Sequence, residues 1–362
     1  MNDSVSHDRL EPPGLWQHFM DHPPVGFEVC GSAASVPGFF ADFDLLTTAE
    51  DDLQQRVAAI PGGRWLRRLL RWRTCFVGTT VSEYAPLPAR RVPSEVIGEI
   101  LGMWARRTQL LILKDIPDRS PLLDERTNGF ATTLLTQCEE QGFFIVEGQA
   151  LAYVPIDFAS TDEFLGRLSS GRRRDIRRKL RSRAELSLEV IETGCERLQD
   201  EAFLNELYEQ YLEVYAQSEI HFDMLSREFF RAILQDASLQ GRLFLYSREG
   251  RLIGHNLCFI HEGTLVDKYV GFRYPAAREA NLYFVSWIEN LAYALEHDLR
   301  CYIAGWTDPK IKAYLGASFT FTRHAVYVRN GLLRRLLKSI SGWFESDRQW
   351  FEEDKNASSP HS

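Results

Sequence analysis

Apolar residues recur along this chain with two periods. In SEVIGEILGMWARRT (94–108), DERTNGFATTLLTQCEEQ (124–141), EAFLNELYEQYLEVYAQ (201–217), REFFRAILQDA (227–237) and LYFVSWIENLAYALEHD (282–298) they fall every three or four positions. That spacing predicts helices with one buried face. Between them lie short apolar or alternating runs that predict strands: FEVCGS, FVGTTVSEYAPL, QLLILKDI, FFIVEGQALAYVPI and SLEVIET, then GRLFLYSREG, RLIGHNLCFIHEG and TLVDKYVGFR. Glu249-Gly250 and Glu262-Gly263 join the last three as hairpin turns, which makes an antiparallel meander. After RYPAAREAN come a helix, the strand RCYIAGW, a short helix DPKIKAYLG and a strand pair around SFTFTRHAVYVRNG.

Helices alternating with strands predict an α/β layer structure. TTLLTQCEEQGFFIVEG and ENLAYALEHDLRCYIAG each run from an amphipathic helix into an apolar strand ending in glycine, about 160 positions apart. This is far longer than a solenoid repeat and predicts a duplicated domain. The expected organisation is a flexible 1–14, a first domain over 15–150, a second over 151–346 and a flexible tail over 347–362.

Composition changes this picture little. The 362 residues suffice for two cores, and the net charge of −8 argues against a general nucleic-acid coat. Six cysteines are scattered without metal-ligand spacing and read as buried thiols in a reducing compartment. No run reaches the ~20 apolar residues that span a bilayer, so no membrane insertion and a cytoplasmic location are expected.

Candidate chemistry begins at SSGRRRDIRRKLRSR (169–183), where eight of fifteen residues are basic. Leu165, Leu168, Ile176 and Leu180 form an apolar stripe that includes Arg172, while Arg174, Arg177, Arg178 and Arg181 project away. If the helix restarts near Ser169, then Arg172, Arg173 and Arg174 crowd its N-terminus, where an anion is favoured. A solvated, internally paired face accounts equally well for Arg177 onward. Lys312, in PKIKAYLGA just after the strand CYIAGW, can stabilise an oxyanion or grip a substrate anion; Lys310 faces elsewhere.

His255, beside Asn256, interrupts the apolar LIGHNLCFI, and Asp267 interrupts LVDKYV; both are candidate general bases. Alternation puts His255 with Leu257 and Asp267 with Tyr269. Asp308 is a third candidate base but, ahead of Pro309, reads better as a helix cap. Glu219, His221 and Asp223 alternate like metal ligands, but no second cluster completes a set. The candidate catalytic residues are therefore Lys312, His255 and Asp267. The candidate substrate-binding residues are Arg172, Arg173, Arg174, Tyr269, Arg273, Asn281, Trp306 and Asp308, with no metal site.

The order of elements resembles the GNAT acyltransferase fold, and the chain as a whole resembles the FemAB-type tandem GNAT group, including its CelD/BcsL-like acetyltransferase domain. LSSGRRRDIRRKLR is similar to that group's arginine-rich helix, and GWTDPKIKAYLGASFTF to its closing signature, with Lys312 and Gly316 at the marked positions. The resemblance implies two GNAT-like domains, each a mixed, mainly antiparallel sheet flanked by helices. It also implies direct attack of an acceptor amine, on a small biosynthetic or cell-envelope precursor, upon an activated acyl donor. Acyl-CoA is the expected donor and co-substrate, with aminoacyl-tRNA as the rival and a degenerate binding or scaffold protein as a third reading. FRYPAAREAN lacks the glycines of the usual GNAT pyrophosphate loop, and Tyr314 is not placed where the GNAT tyrosine acid stands.

Overall fold

A computed structural model describes residues 10–31, 36–44, 71–86, 88–218, 221–339 and 351. The expected flexible ends fall largely outside these residues, as do Leu87 and Glu219. The chain begins with α1 (Pro13–Asp21), β1 (Glu28–Cys30), β2 (Gly38–Asp44), β3 (Arg71–Val77), α2 (Pro93–Trp104), β4 (Leu110–Pro117), α3 (Glu125–Glu140) and β5 (Phe144–Pro155). It continues with α4 (Thr161–Gly166), α5 (Ser170–Lys179), β6 (Leu186–Glu192), α6 (Glu201–Gln217), α7 (Arg227–Gln235), β7 (Gly241–Arg248), β8 (Arg251–His261) and β9 (Thr264–Phe272). It closes with α8 (Ala276–Glu279), α9 (Leu282–Glu296), β10 (Cys301–Gly305), α10 (Pro309–Tyr314), β11 (Ser318–Val328) and α11 (Gly331–Ser339).

Local chemistry sets these boundaries. Side chains of Asp124, Ser160, Asp200 and Ser226 accept hydrogen bonds from the first turns of α3, α4, α6 and α7, supplying partners for N–H groups a helix leaves open. Both residues of the Glu249-Gly250 and Glu262-Gly263 turns have positive φ, the twist that lets two-residue hairpins join strands without splaying them. Two expected elements differ. FVGTTVSEYAPL stops being strand at Val77, because Gly78 turns the backbone to φ 123°. SFTFTRHAVYVRNG is one strand, β11, in which the ladder to β4 shifts register between Arg323 and Ala325.

The chain forms two compact units. Unit 1 takes its described residues from Gly26–Ala150 and Thr320–Ser362, and unit 2 spans Leu10–Val25 and Leu151–Phe319. In unit 1 the strand order is β1-β2-β3-β4-β11, antiparallel except for the parallel pair β3/β4. Unit 2 runs β5-β10-β9-β8-β7-β6, antiparallel except for the parallel pair β9/β10. Each is thus a mixed, mainly antiparallel sheet flanked by helices.

In unit 1, Val96, Ile97, Ile100 and Trp104 of α2 and Ala131, Leu134 and Cys138 of α3 bury against Cys75, Leu111 and Leu113. In unit 2, Leu282, Val285, Trp287 and Leu291 of α9 pack with Phe244, Cys258, Leu265 and Tyr302. Burying each such side chain stabilises the fold by roughly 1.5–3 kcal/mol, an upper figure because unfolded chains are partly compact.

Candidate active site at the parting of two parallel strands

The parallel ladder between β9 and β10 has three rungs, Thr264/Cys301, Leu265/Tyr302 and Val266/Ile303. Beyond them both strands change register. β9 bulges against β8 so that Leu257 faces Tyr269 and Cys258 faces Asp267, with Lys268 as the extra residue; β10 shifts against β5 between Ile303 and Gly305. Bulges bend strands and end pairing, so the two edges part here.

Asp267 stands at that point. Its carboxylate accepts hydrogen bonds from Asn256 Nδ2 on β8 (2.6 Å), Asn290 Nδ2 on α9 (3.2 Å) and the Tyr302 hydroxyl on β10 (2.7 Å). Asn256 in turn accepts from the Cys258 thiol, and Asn290 also donates to the Tyr302 oxygen at 3.1 Å. Three neutral donors from three elements meet on one carboxylate, which fixes where the strands separate. The same bulge moves Tyr269 to the face opposite Asp267, where its ring meets Phe229 edge-on at 6.2 Å. The expected pairing of Asp267 with Tyr269 on one face is therefore corrected: strict alternation fails at Lys268.

Across the gap, Gly305 adopts φ 78°, a left-handed conformation that favours glycine. The place a Cβ would occupy there lies 3.8 Å from the Asp267 carbonyl oxygen and 3.9 Å from Lys312 Nζ. Lys312 is 4% exposed and donates to the Ala304 carbonyl at 2.5 Å. The signature lysine thus points back from α10 to the strand end, and the structure brings Lys312 and Asp267 to the same locus.

The helix α10 is held by α5. Arg172 Nη1 donates to the Ala313 carbonyl (3.2 Å) and its guanidinium sits 5.4 Å over the Tyr314 ring. The Tyr314 hydroxyl donates to Asp175 (2.8 Å), which also pairs with Lys179 and Arg178. Lys179, together with the Tyr314 hydroxyl, holds the Asp175 carboxyl at about 2. The helix does restart near Ser169, as one of the two expected geometries required, and Arg172 is turned inward. Arg173 donates to the Gly166 carbonyl, Arg177 pairs with Asp162, and Arg174 and Arg181 are exposed.

His255 does not join this group. It lies on the other face of β8, its Nδ1 3.1 Å from Gln210 Oε1 and its ring edge-on to Phe230, with Gly271 flat against it. Complete burial lowers its pKa to about 3, so it is a neutral imidazole at ordinary pH. Arg273 is engaged by Glu213 of α6 at 2.7 Å. Asn281 enters α9 at φ 50°, and Asp308 precedes Pro309 at φ 53°; neither side chain caps its helix, although the Asp308 carbonyl accepts from Lys312 N. Trp306 follows Gly305 directly at the strand end.

The turn after β9 is closed on itself. The N–H groups of Ala277, Arg278, Glu279, Ala280 and Asn281 bond to carbonyls within 273–278. Among the described residues no group of three metal-ligating side chains occurs, and His221 packs edge-on against Tyr215. Sequence reasoning missed Asn290, Tyr302, Gly305 and Asp175. The available signal was a polar Asn290 on the apolar stripe of LYFVSWIENLAYALE, a buried amide that needs a partner.

In unit 2 the parallel pair β9/β10 parts at a bulge, with α9 packed behind it and the buried Lys312 side chain at the gap, within a mixed, mainly antiparallel sheet of the kind expected of a GNAT-like domain. The chain belongs to the FemAB-like family, described as peptidoglycan biosynthesis/recognition, whose model matches residues 127–361. Among solved structures it is similar to the C-terminal domain of a putative lysylphosphatidylglycerol synthetase from Agrobacterium fabrum, at 13% identity, 92% of each chain and TM-score 0.53. It is also similar to L-PGS from Bacillus licheniformis (13% identity, 92% of this chain and 98% of that one, TM-score 0.52) and to FemX (12%, 92% and 96%, 0.52). At such identity these likenesses establish the fold. No curated protein sequence matches the chain.

Proposed function

We propose that this protein transfers an activated acyl group to an amine, and that Lys312 stabilises the oxyanion formed on the way. The observation that carries the reading is the buried Lys312 side chain, whose Nζ donates to the Ala304 carbonyl at the point where β9 and β10 part. Strand edges that have left their ladder present backbone N–H and C=O groups that can align an extended donor.

In the proposed step the amine nitrogen attacks the acyl carbonyl carbon and a C–N bond forms. The C=O electron pair moves to oxygen, where Lys312 compensates the developing charge. Collapse breaks the bond to the leaving oxygen or sulfur, which takes up the proton the amine releases. Asp267 serves as a positioning residue, since its oxygens already accept three hydrogen bonds; His255, neutral and on the opposite face, has no part.

For the donor, the self-bonded turn after β9 favours an aminoacyl ester of tRNA over acyl-CoA. A pyrophosphate needs N–H groups aimed at it, and five of those in 273–281 are engaged by the turn's own carbonyls. Exposed Arg174 and Arg181 on and just after α5 suit a phosphate backbone. The family's description supports a cell-envelope precursor as the source of the acceptor. A CelD/BcsL-like acetyltransferase would instead require acyl-CoA.

Thermal shift separates the donors. A ligand at about 100 times its dissociation constant stabilises the fold by roughly 2.7 kcal/mol. Charged tRNA is expected to raise the melting temperature in a salt-dependent manner, and acetyl-CoA to leave it unchanged. A shift with acetyl-CoA alone overturns the donor assignment; no shift with either, and no transfer of label to amine acceptors, returns the chain to a binding role.

A further inference from the structure

The helix α11 of unit 1 is unlike the others. Its residues GLLRRLLKS put Leu332, Leu333 and Leu337 within one arc of a helical wheel and Arg334, Arg335 and Lys338 within the other. Asn330 fixes its start, accepting from the backbone N–H of Leu332 (3.0 Å) and Leu333 (3.2 Å). Arg334 fixes its roll, donating to the Gly142 carbonyl at 2.8 Å while lying 5.1 Å over the Tyr327 ring. With the helix clamped in this way, Leu332 is 79% exposed, more than any other large apolar side chain described. Arg335 and Lys338 are exposed beside it. Arg334, Arg335 and Lys338 also line a groove of about 630 Å³, together with Glu139, Phe143 and Phe144.

We infer that α11 is a membrane-surface contact that lays Leu332 into the interface of an anionic phospholipid bilayer, with Arg335 and Lys338 on the lipid phosphates. Three observations join here. A chain of net charge −8 is repelled by an anionic surface, so its approach needs a local cationic element. The same helix couples that charge to an exposed apolar side chain, the combination that binds interfaces. The Arg334 clamp presents the helix as a formed surface, so its ordering cost is met before binding. The inference does not rest on the acyl-transfer reading. No helix among the described residues is long and apolar enough to cross a membrane, and none is required.

Co-sedimentation of the full chain with phosphatidylcholine vesicles, and with vesicles of phosphatidylcholine mixed with phosphatidylglycerol, tests it. Binding is expected to the mixed vesicles, weakening as salt is raised. Each basic residue near such a surface is worth about fivefold in affinity, so R335Q/K338Q is expected to reduce binding by more than tenfold. Leu332→Glu is expected to reduce it about as much, with an unchanged melting temperature because the side chain is exposed. Equal binding to both vesicle types, or to neither, overturns the inference. So does a concentration-dependent dimer that Leu332→Glu abolishes while vesicles stay unbound, which would assign the face to a second copy of the chain.

Discussion

Among the described strands each unit contains one parallel pair, and the two pairs end differently. In unit 1 the β3/β4 ladder runs from Thr74/Leu110 to Val77/Leu113. Just beyond it Lys114 pairs with Asp115 and donates to the Thr79 carbonyl at 2.8 Å. Asp115, at φ 56°, receives the Ala85 N–H on its carbonyl and donates its own N–H to His324 Nδ1. The Tyr84 hydroxyl bonds Ser120 (2.7 Å) and Thr320 (2.5 Å). In unit 2 the equivalent left-handed position is Gly305, the chain after β9 turns away to Glu213, and a lysine from the following helix reaches the strand end.

One frame therefore ends in a returning segment, residues 79–85, bonded across the strand end, and the other in a glycine, a buried lysine and a parted edge. The fold alone does not make a site. What differs is whether the loop after the first parallel strand returns over the gap or leaves it.

Several substitutions would sharpen or break this contrast. The largest effect on stability is expected from Asp267→Ala, which strands the donors of Asn256, Asn290 and Tyr302 in a buried setting. At 1–3 kcal/mol for each such group the cost is about 3 kcal/mol or more, a drop on the order of 6 °C in melting temperature. Asp267→Asn is expected to retain part of the stability while lowering turnover, with the pH profile unmoved. A shifted pH profile would instead make Asp267 a base.

Gly305→Ala is expected to cost about 1–2 kcal/mol through its left-handed backbone, and to depress activity by shifting the strand end at which Lys312 points. Arg172→Ala removes a hydrogen bond and a ring contact from α10 and is expected to lower turnover several-fold, while Arg181→Ala should affect only the salt-dependent binding of tRNA. Equal effects in both assays would undo the distinction between the turned-in and exposed arginines.

The smallest effect concerns His255. Its pKa is about 3 folded and about 6.5 unfolded, so between those values the unfolded chain binds more protons. Stability from the neutral histidine is complete above about pH 6.5 and falls as pH drops toward 3. His255→Leu is expected to flatten the melting-temperature profile in that window, and to leave the shape of the activity profile near neutrality unchanged. A changed activity profile would bring His255 back into the chemistry.

Much of this was legible in the sequence, for physical reasons. Glu-Gly pairs between apolar runs announced both hairpins, and the Ser169-Ser170-Gly171 break announced the helix restart, whereas the continuous apolar stripe from Leu165 to Leu180 is not formed. The lysine after CYIAGW was placed by its motif. Its partner, a carbonyl eight residues back, was not, because backbone acceptors leave no mark in sequence. The bulge at Lys268 was hidden for a related reason: it is set by which neighbour β9 pairs with, and it carries Tyr269 to the face that period-two reading denies it. The convergence of Asn290 and Tyr302 on Asp267 joins residues up to 35 positions apart, which a local pattern cannot connect.

The central claim is that the buried lysine of unit 2 acts in the transition state and the paired lysine of unit 1 does not. Single-turnover transfer from a charged donor to an amine acceptor, measured for Lys312→Met and Lys114→Met at saturating donor, tests it most directly. Lys312→Met is expected to slow the transfer step by about 10²-fold or more with little change in donor binding, as for a lost oxyanion donor. Lys114→Met is expected to lower the melting temperature and leave transfer within a few-fold. Wild-type transfer rates in the Lys312→Met protein, or an equal loss in both proteins, would contradict the account.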